Sequence, residues 1–161
     1  MARQLPIEIF MPPNILKAKV GSALGGIDTA ALKRAEAAVE TLKTEFHGWL
    51  ATDVARLGEC RDRLVRSPSE KARGELFRAA HDLKGEGETL EFPMISRLAA
   101  SLTRLIDTAN PAMEFPLGLV DAHVAAIRVV FRDKVRSMAD KTAAALAEEL
   151  EARVGEALGE G

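Results

Sequence analysis

Residues 68–90 read PSEKARGELFRAAHDLKGEGETL, and the spacing within that stretch decides the fold. Leu76, Ala80, Leu83, Gly87 and Leu90 recur at intervals of three and four, which places them on one side of an α-helix. Ser67 offers a cap and Pro68 stands at a first helical position, where a missing N–H removes no intrahelical bond. Pro93 ends the run because it disfavours helical geometry in Phe92. At about 100° of rotation per residue, the five small or apolar residues fall within roughly 40° of one direction, the face turned to a core. On the same wheel His81 lies roughly 140° from that direction, Glu88 roughly 120°, Lys84 roughly 80° and Gly85 roughly 180°. His81 therefore points outward, with Lys84 one turn further along and within reach of it.

A solitary histidine is more often a core residue whose nitrogens are satisfied by neighbours, and this placement argues against that role. A neutral imidazole keeps an in-plane lone pair and, when exposed, can attack an electrophilic phosphorus. Phosphorylation then sets about −1.5 to −2 of charge beside the ring. Lys84 supplies a compact cation for the phosphate oxygens, and Gly85 removes a side chain where a partner surface must come close. Gly87, on the inner side, lets a neighbouring helix approach at a cost of about 0.5 to 1 kcal/mol relative to alanine.

Ala80-His81-Asp82-Leu83-Lys84-Gly85 resembles the Ala-His-x-Leu-Lys-Gly signature of histidine-containing phosphotransfer (Hpt) domains. The resemblance implies that the signature sits on the second helix of an antiparallel four-helix bundle. It also implies that His81 exchanges phosphoryl groups with aspartates of response-regulator receiver domains, fed by a hybrid histidine kinase. Further implications are that the receiver brings the magnesium, that this chain needs no cofactor of its own, and that it binds no ATP. The chain departs from the pattern at Glu86, Glu88 and Glu91, where the family has small residues and, at the position of Glu91, a glycine. Such carboxylates disfavour acidic receiver pockets unless the partner supplies matching cations. Family members often bond the histidine ring from the next helix, and Ser101, Thr103 and Arg104 are the candidates for that here. Phe77, Arg78 and Glu88, with the outer face of the helix from Met94 to Ile106, form the expected docking surface.

Outward from this helix the chain reads as an all-α protein. Residues 1–27 mix Pro6, Pro12, Pro13, Gly21, Gly25 and Gly26 with short apolar clusters, an N-terminal arm that either lies on the body or extends as a disordered tail. From an N-cap at Asp28, the stripe Leu32, Ala35, Val39, Leu42, Phe46, Leu50, Val54, Leu57 and Leu64 marks one long amphipathic helix, or two with a bend at Gly48. After Pro93, Met94, Leu98, Leu102, Leu105 and Ile106 mark the next buried side until Asn110-Pro111. A further helix after Pro116 carries Leu119, Val120, Val124, Ile127, Val130, Phe131 and Val135 through about Met138. Residues 28–138 thus make the bundle. Residues 139–161 form a helical tail whose narrow seam of Leu146, Leu150, Val154 and Leu158 extends the preceding helix, docks on the arm, or meets a second chain.

Composition narrows the function. The 161 residues carry a net charge of −2 with both signs interspersed, so no basic field marks a nucleic-acid partner. The single cysteine, Cys60, makes no internal disulfide, and no apolar run reaches the roughly 20 residues that span a bilayer. These features predict a cytoplasmic protein, by default a monomer. His123, set among Leu119, Val120, Val124 and Ile127, reads as a structural histidine, and His47 beside Phe46 and Trp49 as a packing or surface one. No zinc spacing and no phosphate loop are present, and Glu148, Glu149 and Glu151 read as a solvated acidic face. Two rivals to the relay reading stand beside it: a dimerisation bundle of a histidine kinase, which would need a nucleotide-binding domain, and a non-catalytic helical adaptor.

Overall fold

Residues 29–108 and 115–160 are described by the computed structural model. Among them are five α-helices: α1 (Thr29–Arg66), α2 (Glu70–Thr89), α3 (Pro93–Thr108), α4 (Leu117–Arg132) and α5 (Lys141–Leu158). The expected arm over residues 1–27, the cap at Asp28 and the Asn110-Pro111 turn lie outside the described residues. The architecture is the all-α four-helix bundle that the sequence predicts, with a fifth helix after it. No helix among the described residues is long and apolar enough to cross a membrane.

The chain divides into two compact units, Met1–Thr41 and Leu42–Gly161. Of the first, the described part is the opening of α1, and its side chains are all exposed. The second holds the bundle. Within it α1 buries Leu50, Val54, Leu57, Cys60 and Leu64, so the second half of the predicted stripe faces a core. Leu32, Val39 and Leu42 instead lie in solvent, which corrects the expectation that the whole stripe is buried. Gly48 neither ends nor splits the helix, and this settles one helix over two.

Helix α2 begins two residues later than predicted. Ser69, not Ser67, is its N-cap, and the Ser69 hydroxyl accepts a hydrogen bond from the Ala72 N–H. Ala72, Leu76, Ala79, Ala80, Leu83 and Gly87 are buried along it, matching the predicted inner face, with Leu90 half-buried at the C-cap. Helix α3 packs on α2, α4 and α5 and is therefore enclosed on most sides, with Leu98, Ala99, Leu102 and Leu105 almost fully covered. The α2–α3 turn depends on Gly87: a Cβ there would stand 2.7 Å from the Ser96 backbone nitrogen and 3.0 Å from the Phe92 carbonyl oxygen. The Ser96 hydroxyl also donates to the Lys84 carbonyl across this contact.

Both ends of this scaffold differ from the sequence reading. Helix α4 stops at Arg132 rather than near Met138. Lys134 takes a left-handed backbone (φ 54°), and the Val135 N–H returns to the Val130 carbonyl at 3.0 Å, a Schellman cap formed without glycine. The tail is neither an extension of α4 nor a free seam. It starts afresh at Asp140, whose carboxylate accepts from the Ala143 N–H at 2.9 Å, and packs on α3 and α4. Ala143, Ala147, Leu150 and Val154 are its buried residues, while Leu146 is exposed. Glu151 is not part of a solvated face, because it holds Arg97 of α3 through two hydrogen bonds of 2.8 and 2.6 Å.

Candidate functional site

Burial of Ala80 and Leu83 on either side of it leaves His81 facing outward, and the His81 ring is exposed. Phe77, one turn before and half-buried, stacks against it with centroids 6.0 Å apart and planes at 28°. Lys84 and Gly85 are exposed as well, and a Cβ built on Gly85 meets nothing within 4 Å. Arg78 and Glu88 lie on the same exposed side. The described residues give His81 no hydrogen-bond partner, which leaves both ring nitrogens open to an incoming group.

The three candidates for orienting the ring all go elsewhere. Ser101 is buried, and its hydroxyl lies 3.0 Å from Nε2 of His123. Thr103 turns its hydroxyl back to the Ala99 and Ala100 carbonyls of its own helix. Arg104 pairs with Glu160. The outer face of α3 is likewise no apolar patch, since α3 is covered by three neighbouring helices and leaves mainly Arg97, Ala100, Arg104 and Asp107 outward. Of the expected docking surface, Phe77, Arg78 and Glu88 remain.

His123 has the structural role predicted for it. It is fully buried, and its Nδ1 donates to the Leu119 carbonyl at 2.8 Å, which leaves Nε2 to accept from Ser101. Burial pushes its pKa below the ordinary imidazole value, against the opposing pull of the Leu119 bond. His47 packs against Phe131 at 4.7 Å between ring centroids.

The groove between α1 and α2 beside His81 is charged in a way the sequence reading did not assemble. Toward the start of α2, Arg56, Arg63 and Arg78 line a shallow depression together with Cys60 and Glu75, and Arg63 bonds Glu75 at 3.2 Å. At the level of the site Arg56 bridges to Asp82 at 3.0 Å. Past Gly85 the groove opens into a cleft of about 430 Å³ lined by Trp49, Thr52, Asp53, Glu86 and Leu90. There Glu86 has its pKa raised, first by burial and then by the neighbouring Asp53 and Asp82 carboxylates. Only the α1–α2 pairing brings Asp53 and Arg56 to this place. Their distance from His81 along the chain left no local signal to find them. Among the described residues, no cluster of His, Cys, Asp and Glu could hold a metal ion.

Glu91 stands where the family pattern has glycine, and its backbone is left-handed (φ 64°). The Phe92 N–H returns to the Gly87 carbonyl at 2.6 Å and the Glu91 N–H to Glu88 at 3.2 Å. The position thus keeps the conformation a glycine would favour although the residue has changed. The Hpt domain family model matches residues 22–152. No curated protein matches the chain, and no solved structure does. A match over most of the length, on a helical bundle whose second described helix presents the signature histidine to solvent, means that the chain belongs to the Hpt domain family, the histidine phosphotransfer modules of two-component phosphorelays.

Proposed function

We propose that this chain is an intermediate of a multistep phosphorelay in which His81 accepts a phosphoryl group from a receiver-domain phosphoaspartate and passes it to a response-regulator aspartate. The observation that carries this reading is the exposed His81 ring on α2 with Lys84 one turn away and the surface at Gly85 bare. In the forward step the lone pair of a neutral imidazole nitrogen forms an N–P bond as the acyl P–O bond breaks, and the aspartate leaves as its carboxylate. Lys84 offsets the charge delivered to the ring. The return step reverses the same exchange on a second receiver. Asymmetry between donor and acceptor comes from the partners, so the bundle serves as a passive carrier without kinase activity of its own. Magnesium is expected on the receiver, and hybrid histidine kinases and response regulators in the cytoplasm are the partner class. Phe77, Arg78 and Glu88 surround the site and serve as docking residues.

The test is phosphotransfer from a labelled receiver. The wild type is expected to take up an acid-labile label, His81→Ala none, and Lys84→Ala the same label more slowly with unchanged helical circular dichroism. Equal labelling of His81→Ala, or no labelling of the wild type by any of a broad set of receivers, would leave the helical-adaptor reading in its place.

A further inference from the structure

The groove between α1 and α2, which lies wholly within the unit Leu42–Gly161, has two electrically opposite ends. Two adjoining depressions at the start of α2 share Arg63 and Glu75. Together they gather Arg56, Arg63, Arg66, Lys71 and Arg78 around that one carboxylate. Past Gly85, by contrast, the cleft is lined by Asp53 and Glu86 and by no cation. Part of the positive charge is already matched, since Arg56 reaches Asp82 at 3.0 Å and Asp53 at 3.8 Å, and Arg63 bonds Glu75. Lys71 and Arg78 are exposed and have no ion pair among the described residues. Arg78 stands one turn before His81, and Lys71 ten residues before it, about 15 Å along the helix. Unmatched positive charge therefore leads along α2 to the histidine from one side only.

We infer that this basic end is the docking surface for the acidic face of a receiver domain, and that the carboxylate cleft marks where that face cannot lie. The inference rests on the relay reading of His81. A receiver that carries the magnesium holds it with carboxylates, and a phosphoryl group adds further negative charge, so the face that must reach His81 is anionic. Its rim then falls over Lys71 and Arg78 or over Asp53 and Glu86. Opposite charges steer the encounter and like charges oppose it, which sets the receiver toward the start of α2. Glu86, a departure from the family pattern, thereby acts on orientation: it disfavours the reversed pose and leaves the productive one untouched.

Transfer kinetics of the full-length protein test this, with a labelled receiver that loads the wild type. In the Arg66→Glu/Lys71→Glu double variant, kcat/KM for transfer should fall by about tenfold in low salt, with helical circular dichroism retained because both side chains are exposed. The loss should vanish at about 1 M salt, where the screening length is about 3 Å. Lys71→Glu alone should fall between the wild type and the double variant. Phosphoramidate, a small donor that passes its phosphoryl group to an exposed imidazole and releases ammonia, needs no docking surface and should load His81 equally in all three. Glu86→Gln should accept from the receiver as fast as the wild type or faster. Equal transfer to the double variant in low salt would overturn the basic docking surface and leave the relay reading standing. Slower transfer to Glu86→Gln would overturn the orientation, because the cleft would then hold a cation of the partner. Were no receiver to load the wild type, the relay reading would fall and the docking surface with it.

Discussion

Two glycines two residues apart on α2 answer to opposite constraints. Gly85 faces open space, so Gly85→Ala should stabilise the fold by about 0.5 to 1 kcal/mol through helix propensity while slowing transfer from a receiver. Gly87 faces the Ser96 backbone, and Gly87→Ala should destabilise by about 1 to 3 kcal/mol through overpacking. Denaturant unfolding of the two variants separates them, and equal effects would contradict the assigned faces. Glu86 is a second case where surroundings decide. Its folded pKa lies above the ordinary 4.5, so its contribution to stability is complete below that value and is lost as pH rises through the raised one. Glu86→Gln should therefore be more stable than the wild type near neutrality and lose that advantage in acid. Thermal melts across that range check the sign.

At the scale of elements, helix faces were more legible than helix boundaries. The outward direction of His81 and the inner one of Gly87 follow from rotation per residue, and the structure agrees with both. The end of α4 was harder, because its left-handed cap is made by Lys134, a residue that carries no turn signal, and so was the start of α2, where Ser69 and not Ser67 is the cap. The polar environment of the site was illegible for a related reason: Asp53, Arg56 and Glu86 meet only through α1–α2 packing, and Ser101 is taken by a buried histidine on α4. A left-handed side-chain residue costs about 1 to 2 kcal/mol, offset in part by the greater unfolded-state freedom of glycine. Lys134→Gly should thus raise stability by about 1 kcal/mol. Glu91→Gly should gain less, because it also removes an exposed ion pair with Arg136 (2.6 Å). Melting temperatures of the two variants would show the ordering.

At the scale of the whole molecule, the fifth helix alters what the bundle can present. By covering α3 it removes from partners a face that the sequence assigns to docking. The family match reaches residue 152, well into α5, so the match also treats much of this helix as part of the domain. Truncation after Asp140 would expose the contacts of Leu150 and Val154 and should cost about 4 kcal/mol, seen as a lower denaturation midpoint and binding of a hydrophobic dye. An unchanged midpoint would mean that α5 contributes nothing to the core.

Of the three imidazoles in the chain, His123 has both nitrogens engaged behind the bundle wall, and His47 is set against aromatic rings with its Nε2 enclosed. Of the three rings, that of His81 stands most open to chemistry arriving from solvent. On the proposed function, a carrier built this way would hold one quantum at a time, so each chain would be either loaded or empty, and any graded response would come from how many chains are loaded.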